Sequence, residues 1–252
     1  MLGVKEHNYM ADYTEDYLLD KKIKIFQPVD GYRASIDAVM LAAAVDRVRS
    51  GDAILDVGSG TGAVSLCLAE RFKSAVPQIT GLELQPRLAE LANLSAAANG
   101  FDNLHYLTCN ISDCPLPNCQ FAHVITNPPY AENDPASPNA SKATAHNLTG
   151  FDLEGWIKFC IKKIKPQGYF YMINRAAALE DILATLHGRL GAIEVWPLYS
   201  KAGQAAKRVI VRARKDFKTP LVIHPGIVVH GEDGGYSPAA EHILWEGVAW
   251  GR

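Results

Sequence analysis

The sequence predicts an α/β fold: a doubly wound, mostly parallel sheet finished by one antiparallel edge strand. Three observations carry this expectation. From about residue 50, short β-branched runs alternate with longer helical patterns, as in parallel sheets covered by helices on both faces. A glycine-rich turn, Gly58-Ser59-Gly60-Thr61-Gly62, stands between the first of these runs and its helix. The last two strands are joined by a loop, YSKAGQAAK, too short for a helical crossover, so that junction is antiparallel.

Seven strands follow from this pattern, at Ala53 to Val57, Gln78 to Glu83, Leu104 to Cys109, His123 to Thr126, Gly168 to Ile173, Ile193 to Leu198 and Arg208 to Arg214. Between them, Ala63 to Phe72, Pro86 to Asn99, Leu153 to Ile164 and Ala177 to Leu190 carry apolar residues three and four apart, so each can bury one helical face on the sheet. Pro86 suits a first helical turn. Ahead of the sheet, Lys22 to Tyr32 reads as a strand and turn, and Ser35 caps a helix running to about Arg49. Beyond Leu221 come Pro, Gly and an Asp233-Gly-Gly-Tyr turn with an apolar strand before it. The expected organisation is an extension, 1–50, packed on a domain spanning 51–252.

Bulk composition bounds the class. The 252 residues are 48% hydrophobic and 21% charged, the balance of a folded globular protein. No run reaches the roughly 18 apolar residues of a membrane span, and the N-terminus has neither signal- nor transit-peptide character. A cytoplasmic location is the expectation. The five cysteines include no C-x-x-C pair, so they read as reduced, mostly buried thiols. A net charge of −2 neither implies nor excludes nucleic acid, since local clusters can still hold phosphate.

The first turn has G-x-G-x-G spacing at Gly58, Gly60 and Gly62 rather than the G-x-G-x-x-G of a dinucleotide site. Asp56 sits just before it, where a carboxylate repels phosphate and attracts an ammonium. S-adenosylmethionine, with an amino-acid moiety and a sulfonium, suits an acid-edged turn better than a pyrophosphate does. Ser59 belongs to the same turn. Glu83 ends the second strand, where its carboxylate can accept from two ribose hydroxyls, and Leu84 offers an apolar floor for adenine. A contact to the adenine amine is expected after the third strand, from Asn110 or Asp113.

The fourth strand runs into Asn127-Pro128-Pro129-Tyr130. Two prolines remove two backbone donors and fix the chain, leaving the Pro128 carbonyl projecting from the strand end. A planar amine is a poor nucleophile because its lone pair is delocalised. The Asn127 side-chain oxygen and the Pro128 carbonyl can accept its two hydrogens and turn that lone pair toward a methyl donor, while Tyr130 stacks on the substrate. In-line methyl transfer from a sulfonium needs positioning more than a base or a metal, and no metal is expected. A base in folded RNA must leave its stack to reach such a site.

These residues resemble S-adenosylmethionine-dependent N-methyltransferases with an Asn-Pro-Pro-Tyr motif, and within them the bacterial tRNA (adenine-N6)-methyltransferases that modify a valine tRNA beside its anticodon. The resemblance extends to Gln27-Pro-Val-Asp-Gly-Tyr-Arg-Ala-Ser-Ile-Asp37, Ala143-Thr-Ala-His146, Lys207-Arg208-Val-Ile-Val-Arg212 and the stretch from His230 to Pro238. It implies a seven-stranded Rossmann-like class I methyltransferase sheet. It also implies that Tyr32, Arg33 and Asp37 lie over the cofactor pocket. The chain departs from the pattern at Cys109-Asn110, where an acidic pair is common.

The motif identifies a planar nitrogen without choosing among substrates. Protein glutamine amides and small molecules are alternatives, as is a non-catalytic cofactor- or RNA-binding subunit. About 50 residues before the sheet are few for a separate protein-substrate domain. A tRNA substrate needs basic surface near the pocket. The candidates are Lys201, Lys207, Arg208, Arg212, Arg214, Lys215 and Lys218, with Lys158, Lys162, Lys163 and Lys165 on one helix and its end. The loop Ala131 to Leu148, with Lys142 and His146, is long enough to act as a lid. Apolar edge strands leave room for a homodimer.

Overall fold

Among the described residues the fold rests on a nine-stranded sheet whose central strands, such as Ala53–Val57 and Phe121–Thr126, are buried on both faces, as strands covered by helices on each side must be. A computed structural model describes residues 12–129 and 152–250. In chain order, β3 (Ala53–Val57), β4 (Gln78–Glu83), β5 (Leu104–Thr108), β6 (Phe121–Thr126) and β7 (Ile164–Arg175) form the parallel half. β8 (Gly191–Tyr199) and β9 (Ala206–Arg214) are the expected antiparallel pair. The sheet order is β10-β8-β9-β7-β6-β3-β4-β5, with β10 (Val222–Ile223) and β11 (Ile227–Val228) both parallel to β8.

The expected α/β class and its single antiparallel strand are therefore borne out, with one adjustment. β9 pairs antiparallel with β7 on one side and β8 on the other, so it stands inside the sheet and the short β10 and β11 take the edge. Loop length had fixed only its direction relative to β8, not its second neighbour.

Helices cover both faces. One apolar cluster joins α1 (Ile36–Ala43), α2 (Ala63–Arg71) and α3 (Pro86–Ala98) to Ile54, Ile79 and Ile125; the other joins α4 (Leu153–Lys163) and α5 (Leu179–Leu186) to Leu55, Val57 and Val124. Alternate residues of one strand thus feed two cores. α1 stops at Ala43 rather than Arg49, because Arg71 donates to the Ala42 carbonyl and the Trp250 amide to that of Ala43. α5 is shorter than expected because Gly188, at φ +71°, ends it. Among the described residues no helix is long and apolar enough to cross a membrane.

Several elements had no forecast. β1 (Tyr13–Leu18) makes an antiparallel hairpin with β2 (Ile23–Pro28). The short α6 (Pro238–Glu241) continues into a helical turn, His242–Glu246. The hairpin is pinned to α3: Phe26 N donates to Ser95 Oγ at 2.9 Å, and Asn99 Oδ1 accepts from Lys24 N at 2.9 Å. Near the end of β2, Gln27 Oε1 accepts from Ala34 N at 2.8 Å, while its Nε2 and the Arg33 guanidinium both donate to Asp16. This frame fixes the 28–34 loop above the first glycine turn.

Candidate active site

The carboxyl ends of β3, β4 and β6 open on one cavity of about 250 Å³, the place where open α/β sheets bind ligands. On one side its walls are Gly58, Gly60, Glu83 and Leu84; on the other, Asn127, Pro128 and Pro129. Tyr32, Arg33 and Asp37 close the top. Ten of the sequence-derived candidates thus line one space. Ser35, Gln85 and Leu88, none of them singled out as a site residue, join them, as does Arg208, one of the basic candidates for RNA contact.

Glu83 is 6% exposed. Its Oε2 accepts from Gly60 N at 2.9 Å and its Oε1 from Gln85 N at 2.8 Å. Burial raises its pKa above the ordinary carboxylate value, against the lowering effect of hydrogen bonds from the Gln85, Gly60 and Leu84 amides. A carboxylate held at two oxygens and flanked by Leu84 and Leu88 matches a ribose diol next to a flat apolar ring. The residues present therefore fit S-adenosylmethionine.

The glycines are demanded by aromatic rings as much as by the turn. A methyl group on Gly58, Gly60 or Gly62 would lie 2.9 Å from the Trp156 ring, 2.6 Å from the Tyr32 ring or 2.3 Å from the Tyr106 hydroxyl, respectively. All three have positive φ, which L side chains rarely adopt. Tyr32 thus roofs Gly60 beside the cavity, and burial followed by the Glu83 charge raises its phenol pKa. At Gly62 the neighbour is the buried Tyr106, which donates to the Gly62 carbonyl at 3.2 Å.

Four candidates stand elsewhere. Asp56, 1% exposed, accepts from Ser65 Oγ at 2.5 Å behind the turn, and its carboxyl is pushed up to about 7, chiefly by burial. Ser59 is buried toward Gly81, and among the described residues its hydroxyl has no hydrogen-bond partner. Gly62 starts α2. Asn110 accepts from Ser112 N at 3.0 Å and caps the short helix Ile111–Asp113. Tyr130 and the 131–148 loop, with Lys142, Ala143 to His146, lie outside the described residues.

The basic residues divide by position. Arg212 is held by Glu194 at 2.7 Å and Asp46 at 3.0 Å. Arg214 stacks on Phe217, Lys215 donates to the Ile164 carbonyl, and Lys163 to that of Leu116. Lys165 pairs with Asp52 and Lys158 with Glu154. Lys162 and Lys218 are exposed. Arg208 donates to Asp37 Oδ2 at 3.1 Å on the cavity wall. Lys201 and Lys207, both exposed, flank the β8–β9 turn at the same end of the sheet as Asn127.

A family profile described as "Methyltransferase domain" matches residues 54–149. A tRNA1(Val) (adenine(37)-N6)-methyltransferase of Glaesserella parasuis serovar 5 is 31% identical over 208 residues, covering 81% of this chain and 85% of the relative. Its counterpart from Porphyromonas gingivalis is 28% identical over 235 residues, covering 86% and 89%. Among solved structures, a protein of Agrobacterium tumefaciens described as a predicted O-methyltransferase aligns with a TM-score of 0.71 at 24% identity, over 86% of this chain and 99% of that one. A Thermus thermophilus 16S rRNA N2 G1207 methyltransferase, solved with AdoMet and guanosine, aligns at 0.58 with 16% identity, over 81% and 50%. At these identities the solved structures speak for the fold.

Proposed function

The chain belongs to the family of tRNA1(Val) (adenine(37)-N6)-methyltransferases, and from that premise we propose that it methylates the N6 amine of an adenine in tRNA, with Asn127 and Pro128 orienting the amine. S-adenosylmethionine, when bound, supplies an electrophilic methyl group on a positively charged sulfur. The observation that carries the site assignment is the single cavity bounded by Glu83 and Leu84 on one wall and Asn127, Pro128 and Pro129 on the other.

In this reading Glu83 accepts from the ribose hydroxyls, Leu84 and Leu88 enclose the adenine of the cofactor, and Tyr32 shields the turn at Gly60 from water. The Asn127 side-chain oxygen and the Pro128 carbonyl take the two hydrogens of the substrate amine, so its lone pair points along the transfer axis. Tyr130 follows them as the stacking partner of the flipped base. The prolines keep these acceptors rigid, and a preorganised acceptor loses little entropy when the substrate arrives. The hairpin and α1, within residues 1–50, serve as an extension roofing the cofactor side of a 51–252 domain. Lys201 and Lys207 present positive charge to the RNA backbone beside the pocket mouth. A tRNA substrate makes the cytoplasm the place of work.

The test combines tritiated S-adenosylmethionine, unmodified bacterial tRNA and nucleoside analysis. Wild type labels N6-methyladenosine in tRNA. Asn127→Ala lowers kcat by roughly 100-fold, the scale of a misplaced reacting group, with cofactor affinity retained. Unchanged turnover in the variant removes Asn127 from the chemistry, and label absent from RNA removes the substrate assignment.

A further inference from the structure

β3 and β6 part company at the active site. Val57 and Thr126 are their last paired residues. After Val57 the chain turns through Gly58 at φ +74°, and two residues after Thr126 come Pro128 and Pro129, which have no N–H to extend a ladder. A side chain ties the two strand ends together here: the Thr126 hydroxyl donates to the Val57 carbonyl at 2.8 Å.

That hydroxyl is itself held. The indole Nε1 of Trp156 donates to Thr126 Oγ1 at 2.8 Å, so the oxygen is an acceptor from one side and a donor on the other, and its rotor has a single orientation. Thr126 is fully buried and Trp156 is 5% exposed. The Trp156 ring also supports Gly58 from beneath, leaving no room there for a methyl group. Trp156 enters on α4, whose first turn is fixed by Asp152 accepting from Gly155 N at 2.7 Å. It is absent from the cavity wall.

We propose that Trp156 is a positioning residue for methyl transfer, a role that rests on the function proposed above. Its N–H locks Thr126 and its ring props Gly58, so one buried side chain sets the spacing between the cofactor turn and the Asn127-Pro128 acceptors. Small misplacements of reacting groups lower rate without necessarily weakening binding. The expected signature is a fall in kcat with cofactor affinity and KM for tRNA preserved.

Three variants test this. Trp156→Phe removes the N–H and keeps an aromatic ring; Thr126→Val removes the hydroxyl at nearly constant shape; Thr126→Ser restores it. Single-turnover methylation of tRNA and calorimetric titration with S-adenosylhomocysteine are measured for each. Trp156→Phe and Thr126→Val lower the methylation rate by roughly 10- to 100-fold, cofactor affinity changes little, and Thr126→Ser recovers most of the loss. Rates near wild type in the first two, a loss that follows cofactor affinity, or a serine variant as slow as the valine one each overturn the proposal. If Trp156→Phe does not fold, the valine and serine pair decides the question. Wild-type protein in the same assay separates the two levels: no methylation of tRNA overturns the function, whereas normal wild-type turnover matched by the variants overturns the strut alone.

Discussion

Replacing Glu83 by Gln removes one charge from the candidate cofactor wall and almost no volume. In the free protein the carboxylate already accepts from Gly60 N at 2.9 Å and Gln85 N at 2.8 Å. A glutamine keeps one oxygen acceptor and turns an NH₂ toward the other amide, a loss of about 1–3 kcal/mol that falls on free and bound protein alike. Removing a buried charge offsets part of that loss, so folding stability changes little. Affinity responds differently. Two cofactor hydroxyls donating to a charged acceptor are worth about 1.5–3 kcal/mol each, against about 0.5–1.5 for neutral partners. The difference is about 2–3 kcal/mol, or roughly a 30- to 150-fold weaker Kd. Titration with S-adenosylhomocysteine, alongside a thermal melt, reads both quantities. A Glu83→Gln variant that melts like wild type and binds within threefold of it refutes the assignment of Glu83 to the ribose.

Two further outcomes are expected. The Asp56 carboxyl stands at about 7 in the folded protein, above the unfolded value of about 3.9. Between these values the folded chain holds a proton that the unfolded chain has released, so this group's contribution to stability is present at low pH and is lost as pH rises through about 7. Asp56→Asn removes that contribution, and denaturant melts from pH 4.5 to 7.5 will show a flatter stability profile than wild type. Superimposable profiles refute the shift. Reversing the charge at both Lys201 and Lys207 raises KM for tRNA with cofactor affinity preserved. It also reduces the slope of log affinity against log salt by at least about 1.5, the share of two phosphate contacts. An unchanged slope excludes these lysines from the RNA interface.

Hydrophobic spacing was enough to read the frame. β3 and β4 stand where expected, at Ala53–Val57 and Gln78–Glu83, because each carries an apolar centre buried between the two helical layers. β1 was invisible for the same reason. Its sequence, YTEDYL, alternates exposed and half-buried residues on a surface ribbon and has no core face to announce it. The ends of α1 and α5 depend on partners or backbone signals outside their apolar stripe, namely Arg71 and Trp250 for one and Gly188 for the other.

The candidate site divides in the same way. Glu83 and Asn127 sit at strand ends, so strand assignment alone points them at the cavity. Asp56, one residue before its strand's end, falls on the other face and meets Ser65 nine residues later on α2. The glycines signalled close approach correctly, yet nothing local says that Trp156, Tyr32 and Tyr106 are what approach them. The Asp37–Arg208 bond joins residues 171 apart in sequence. Pairs of that kind follow from the packed fold, not from any window of the chain.

The place of β9 also bears on how the molecule is made. β7 ends at Arg175, and the strand that covers its outer side is complete only at Arg214. During synthesis at roughly 5–20 residues per second, that row of backbone donors and acceptors stays open for about 2–8 seconds. The β8 segment is made in this interval, but in the finished sheet it reaches β7 only through β9. The nascent chain therefore carries an apolar, unpaired sheet edge while it waits for its insertion strand, the kind of edge that invites pairing with another chain.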